Sequence, residues 1–278
     1  MTGPTPAAIP RFQKGTATYL SVGWPLLASL AFLAIGIVLG TRSGISTTTA
    51  ASATVLMVLA TLAGGAGAVA LLRTPTAPPT APFVALAAAV ASLLALTPIT
   101  GSSDDLPLVI FLLAGPWLYA LTPLGVHFAM ALGWPHRQRR WSGLVMGWYV
   151  LHAGLFLAAA GGIATGERPL VDTIDRLARQ TALEPLGILT AIGALSLALA
   201  SPVRRGAQRR AVGWGLAALA LGLGPLLTSH VIPGLDFTFD GPVTFSRLAL
   251  ALVAFLGLTA VLALPLVNPV ARDIQGHL

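Results

Sequence analysis

The sequence predicts an all-α fold, a polytopic membrane bundle of about eight transmembrane helices with both ends in the cytoplasm. Two observations carry this: hydrophobic residues make up 55% of the chain and charged residues 9%, and the few charges collect in gaps between apolar stretches, basic gaps alternating with acidic ones. The stretches run over 19–40, 49–72, 82–98, 106–134, 142–164, 185–201, 212–232 and 245–266. Each is near the roughly 20 residues that cross a hydrocarbon core of about 30 Å as a helix. A bilayer offers backbone groups no water, so each span must close its hydrogen bonds internally.

The charges test the count. With the N-terminus inside, Arg11, Lys14, Arg73, Arg137, Arg139, Arg140, Arg204, Arg205, Arg209, Arg210 and Arg272 are cytoplasmic, and Arg42, Arg168, Arg176, Arg179 and Arg247 are outside. The basic excess falls on the cytoplasmic side, as the positive-inside rule requires. The third stretch is short and Ala-rich, the weakest of the set. Losing it leaves seven helices and moves Arg11 and Lys14 outside if the arginine clusters stay inside, so eight is preferred. The expected organisation is a disordered cytoplasmic leader over 1–18, one transmembrane domain over 19–267 and a short cytoplasmic tail over 268–278.

The net charge of +7 reflects loops that face anionic lipid. It is not a nucleic-acid footprint, because spans interrupt the basic residues and no aromatic-studded basic face is available. The chain lacks cysteine, which removes disulfides, thiol catalysis and thiolate metal sites. Fifteen Arg against one Lys, with abundant Ala and Gly, suggest a high-GC bacterial genome and hence a bacterial cytoplasmic membrane. The first apolar run is longer than a signal-peptide core and is read as a retained helix.

Between the spans, the prolines of 74–79 predict a short structureless connection. In 165–184, Leu170, Ile174, Leu177 and Thr181 recur at helical spacing, which leaves open an interfacial helix on the outer surface or a solvated loop.

Intramembrane chemistry is sparse. No Asp, Glu, Lys or Arg sits mid-span, whereas coupled transporters keep one there for ion or proton movement. The candidate ligand or sensing residues are His127 and His152, at similar expected depths in consecutive helices, with Trp117 beside a helix bend. Two facing imidazoles suit proton uptake, haem or a metal, but no third ligand lies at matching depth. The competing reading is a pair of packed histidines bonded to neighbouring carbonyls. No metal and no cofactor is therefore expected. Pro116 and Pro123 interrupt the fourth helix, Pro225 the seventh and Pro265 the end of the eighth, and each removes a backbone donor. Small residues at Gly64, Gly65, Gly67 and Ala68, and at Gly213, Gly215, Ala217 and Ala220, permit close helix contact within the chain or in a homodimer.

The run Gly115-Pro116, Pro123-Leu124, His127-Phe128 and Pro135 resembles the membrane input domains of bacterial sensor histidine kinases of the competence-pheromone receptor type. The segment from Arg204 to Arg210, followed by Trp214-Gly215 and Gly224-Pro225-Leu226-Leu227, is similar to their intracellular basic loop and the Gly-rich helix after it. Leu264-Pro265-Leu266 with Ala271-Arg272-Asp273-Ile274 is similar to their exit helix. The resemblance covers roughly 106–278 and leaves the first three helices unassigned. Trp134 stands where the family carries Phe, and the family's Arg-Tyr-Arg-Leu ending is reduced to Arg272 and Leu278. No nucleotide loop or ATP-lid signature occurs in this sequence, so the expectation is a non-enzymatic input module read by a separate partner, such as a histidine kinase.

In that reading a hydrophobic peptide, a lipid-like ligand or the state of the bilayer biases the kinked helices. Arg137, Arg139, Arg140, Arg204, Arg205, Arg209 and Arg210 then form the surface that faces lipid or partner. Two other classes stand beside it: a transporter or permease component for an uncharged or lipophilic solute, and a structural subunit of a membrane complex.

Overall fold

The computed structural model describes residues 11–42, 47–100, 107–175, 183–202, 206–231 and 242–267. These form α1 (Arg11–Arg42), α2 (Thr47–Arg73), α3 (Thr80–Thr100), α4 (Pro107–Gly133), α5 (Gln138–Thr165), α6 (Arg168–Asp175), α7 (Leu183–Ala200), α8 (Ala207–Val231) and α9 (Pro242–Leu258). A 3-10 turn at Pro135–Arg137 joins α4 to α5, and α9 continues as a π turn at Thr259–Ala263 and a 3-10 turn at Leu264–Val267. No strand occurs among the described residues.

Among the described residues, six segments are long and apolar enough to cross a membrane: Tyr19–Val38, Ala53–Arg73, Phe111–Gly133, Gln138–Thr165, Leu183–Ala200 and Ala249–Val267. The apolar part of α3, Thr80–Leu96, is shorter. The outward faces agree with a lipid solvent. Leu20, Leu27, Leu30, Leu62, Met146, Val150, Leu157, Leu197 and Leu250 are all exposed. So much outward apolar surface marks a membrane face, and because lipid is as apolar as leucine it has no reason to withdraw there.

The weakest stretch of the sequence turns out to be the centre of the structure. α3 packs against α1, α2 and α4, and a circuit of contacts then runs from α4 through α7, α8 and α9 back to α2. Ala87, Ala88, Ala89 and Ala95 are fully buried, as are Phe83 and Val84 on the same helix. A helix that is apolar on every side belongs in a core, and alanine lets neighbouring backbones close in where leucine would hold them off. Gly67 of α2 is part of this contact, since a Cβ there would lie 3.0 Å from the Ala87 Cβ and 2.9 Å from Leu26.

An aromatic series ties the bundle together. Phe128 of α4 lies between Phe83 of α3, with ring centroids 5.4 Å apart, and Phe255 of α9 at 6.2 Å. All three rings are buried, and both pairs are inclined, the arrangement favoured by the ring quadrupoles.

Two connections differ from the sequence expectation. Residues 74–79 form an ordered, hydrogen-bonded turn rather than a structureless link. Thr74 Oγ1 donates to the Ala70 carbonyl at 2.9 Å, and Thr80 Oγ1 donates to the Thr74 carbonyl. Backbone bonds from Ala77 N to Thr74 O and from Thr80 N to Ala77 O complete it. Both threonines are buried, so their hydroxyls supply the partners that water cannot. Within 165–184 the helical alternative holds for Arg168–Asp175, with Ile174 buried against Tyr119 and Ala159 while Leu170 faces outward. Leu177 and Thr181 lie outside the described residues.

Helix α5 stops where Gly166 adopts φ 77°, its N–H returning to the carbonyl of Ile163, the left-handed cap that glycine accepts without cost. At the other end of the chain, α1 begins at Arg11, ahead of the apolar run, so part of the expected disordered leader is helical.

Because α3 is surrounded, Ala87→Leu should overpack the core and cost about 1–3 kcal/mol. Leu62→Ala on the lipid face should shift the melting temperature far less. Thermal unfolding of the detergent-solubilised protein, followed by circular dichroism, checks both.

Candidate functional site

A cluster of His127, Trp134, Trp141 and Tyr149 forms where α4, α5 and α7 meet. α4 passes through Pro116, which is exposed, and Pro123, which is buried, and remains one helix to Gly133. Residues 127 and 128 diverge by about 100° on that helix. Phe128 therefore enters the core while His127 turns toward α5.

There His127 Nδ1 lies 3.2 Å from Tyr149 Oη. The imidazole centroid is 6.0 Å from the tyrosine ring and 5.6 Å from the Trp141 ring. Side chains lean toward the N-terminus of their own helix. α4 and α5 run in opposite directions, so His127 and Tyr149 lean toward each other across the gap. The phenol can donate to Nδ1 or accept from it, and the pair holds either tautomer of a neutral imidazole.

A chain of indole bonds leads from this pair to the end of the helices. Trp141 Nε1 donates to the Trp134 carbonyl at 2.9 Å, and Trp134 Nε1 donates to the Ala194 carbonyl of α7 at 3.3 Å. The Arg137 guanidinium sits 5.3 Å from the Trp134 ring centroid, a cation–π contact at the edge of the apolar region. Val126, Ala131, Val145 and Trp148 fill the space around these rings. Gly187 brings α7 close, because a Cβ at that position would collide with Thr122 of α4 and lie 3.6 Å from the Trp148 ring.

His152 does not join the cluster. Its Nδ1 lies 2.9 Å from the Trp148 carbonyl one turn back on its own helix. A carbonyl only accepts, so that nitrogen carries the proton and the ring is a packed, self-satisfied histidine, 4% exposed. It lies about 4.5 Å further along α5 than Tyr149, so the two histidines engage different partners instead of sharing one. Among the described residues no group of three His, Cys, Asp or Glu side chains is placed to hold a metal ion.

Trp117 is also elsewhere. It makes an edge contact with Phe32 of α1 at 6.0 Å and lies about 15 Å up α4 from His127. Gly115, beside the first proline, receives the Phe156 ring, which a Cβ would approach to 2.7 Å. Pro225 lies within α8, and Pro265 falls in the 3-10 turn that follows the π turn. Arg139 and Arg140 in the first turn of α5, and Arg209 and Arg210 in the first turn of α8, are exposed. Arg204 and Arg205 lie outside the described residues. Of the small-residue faces, Gly67 and Gly215 are spent within the chain, Gly215 against Leu132, whereas Gly65 meets open space.

Comparison of the chain with protein-family models, with characterised proteins and with solved structures finds no match. The fold and its polar cluster therefore define a multi-span helical membrane protein, and the chemistry of its own residues carries any finer reading.

Tyr149→Phe keeps the ring and removes the bond to His127, and should cost about 0.6 kcal/mol, the mean for a polar contact between membrane helices. Gly187→Val, which drives a branched side chain into Thr122, should cost several times more, about 1–3 kcal/mol. Both are read from thermal melts of the detergent-solubilised protein.

Proposed function

We propose that this protein is a non-enzymatic membrane input module, in which the packing of α4, α5 and α7 responds to a hydrophobic ligand or to the bilayer and is read by a separate signalling partner. The observation that carries the proposal is the His127–Tyr149 contact. It is the interhelical hydrogen bond between side chains at the centre of the cluster. It joins a helix that carries two prolines to one whose first turn bears Arg139 and Arg140. A small rotation of α4 about its prolines changes that bond and, through Trp141 and Trp134, the position of the arginine-bearing end. A ligand that favours one packing of α4 over another would shift the population through this contact.

In this reading all eight long helices span the membrane, with both termini in the cytoplasm. The basic ends of α5 and α8 then face the same side. Each set of arginines occupies the N-terminal turn of a helix, where the macrodipole disfavours positive charge. Their placement is thus better suited to headgroups or an acidic partner surface than to helix stability. A histidine kinase is the partner class that the sequence resemblance supplies.

The cysteine-free sequence makes the topology directly testable. Single-cysteine variants Arg139→Cys and Arg209→Cys should react with an impermeant maleimide only in inside-out vesicles, and Glu167→Cys only in intact cells. Labelling of Arg139→Cys and Glu167→Cys from the same side would overturn the arrangement. For function, a photo-crosslinker at Arg140 or Arg209 in the native membrane should capture a histidine kinase or response regulator, with a yield that changes in His127→Gln. Capture of transport ATPases alone, or a yield indifferent to His127, would reject the sensing role.

A further inference from the structure

A second feature lies away from the histidine cluster, on the side of the bundle formed by α1 and α2. Between them runs a half-open groove of about 280 Å³, walled by Leu26, Leu30 and Leu33 of α1 and by Thr61, Gly65 and Ala68 of α2. Its floor is Ala91 of the central helix α3. A Cβ at Gly65 would meet nothing within 4 Å, and one at Gly64 would only graze Ala91 and Ser29 at 4.0 Å, so the two outer helices stand apart here.

The groove offers a ligand no hydrogen bond donor. Its two hydroxyls are turned back on their own helices, Ser29 Oγ donating to Leu26 O and Thr61 Oγ1 to Met57 O, both at 2.8 Å. What remains is apolar wall, at a depth where the surrounding medium is hydrocarbon. From Arg73, at the end of α2, Ala68 is about 7 Å down the helix and Ala60 about 20 Å. That interval runs from just beneath the headgroups to the midplane of a bilayer whose total thickness is about 40–45 Å. It is the path of one lipid chain in one leaflet.

Charge selects the kind of lipid. Residues 1–103 contain no acidic side chain. Arg11 and Lys14 at the start of α1 and Arg73 at the end of α2 share one end of this helix pair. The opposite end carries Arg42, and Asp104 and Asp105 follow the end of α3 in the sequence. An anionic headgroup is therefore favoured at the Arg73 end, above the mouth of the groove. We propose that the α1–α2 groove is a binding site for one acyl chain of an anionic phospholipid whose headgroup lies at the Arg73 end.

The test uses the full chain reconstituted in phosphatidylcholine vesicles containing phosphatidylglycerol with a diazirine in one acyl chain, and in parallel the same diazirine chain on phosphatidylcholine. After irradiation, adducts mapped by mass spectrometry should concentrate on 26–33 and 60–68, and the phosphatidylglycerol probe should label them several-fold more. Arg73→Gln should remove that headgroup preference. Thr61→Leu and Gly65→Leu, which place a side chain in open space, should lower groove adducts about tenfold by overpacking. Gly154→Leu, on an exposed face of α5, should leave them unchanged. Adducts spread evenly over the lipid-facing helices, equal labelling by the two headgroups, or full labelling of Gly65→Leu would overturn the proposal. So would a wild-type dimer cross-linked α2 to α2, which would place a second copy in the groove. The location and headgroup preference of the wild-type adducts decide the matter even where a variant folds poorly.

Discussion

The structure rests on α3, an Ala-rich helix packed against α1, α2 and α4. Inside a bilayer the hydrophobic effect does not press helices together, since leaving lipid for protein changes nothing for a leucine. Association must come from close packing, and close packing needs small side chains. α3 supplies them on every side, with Ala87, Ala88, Ala89 and Ala95 fully buried. Three helices close around it, and the rest of the bundle closes around those. The Thr74–Thr80 turn follows from the same demand. A helix entering the core so abruptly carries its connecting backbone inside, and two threonine hydroxyls take the place of water.

Length and apolar character made most of the fold legible. Spans of about 20 residues separated by charge leave little freedom in where helices begin and end, and the eight apolar stretches fall on helices among the described residues, six of them long and apolar enough to cross a membrane. The rank of those helices was not legible. α3 reads as the most dispensable span because its apolar run is short and Ala-rich, whereas packing rewards the very smallness of its side chains. The prolines of 74–79 likewise signal a break in helix but say nothing of Thr74 and Thr80, whose roles exist only when a hydroxyl finds a carbonyl across the turn. In α6 the spacing of Leu170 and Ile174 left a helix and a solvated loop both open, and the helix that forms buries Ile174 by contact with Tyr119 and Ala159.

The candidate site shows the same division. His127 was visible as a polar group in an apolar run. Its partner was not, because Tyr149 is an ordinary aromatic residue 22 positions away and no periodicity links the two. His152 looked equivalent from sequence depth alone. The difference lies in which face of α5 each residue takes: position 149 looks across at α4, while the ring at 152 folds back to the carbonyl of Trp148. The adjacent pair His127-Phe128 is the more instructive feature. One residue locks α4 to α3 and α9 through Phe83 and Phe255, and the next reaches α5, so a rotation of α4 cannot alter one contact without the other.

That coupling extends from α4 to α8 and α9. Phe128 touches Phe255, and Phe255 presses on Gly222 of α8, where a Cβ would approach it to 2.5 Å. Immediately beyond Phe255 the last helix changes pitch, passing from α to a π turn at Thr259–Ala263 and then to a 3-10 turn at Leu264–Val267. The wide turn is closed by the Leu264 N–H on the Thr259 carbonyl, and Pro265 next to it has no N–H with which to continue the α ladder. The hydroxyl of Thr259, fully buried, has no partner among the described residues. A π turn is an α-helix with one residue inserted, and removing or shifting that insertion rotates everything downstream by about a third of a turn. α9 thus holds its pitch irregularity one turn from the ring that Phe128 engages. A displacement of α4 reaches this point through the ring contact of Phe128 with Phe255.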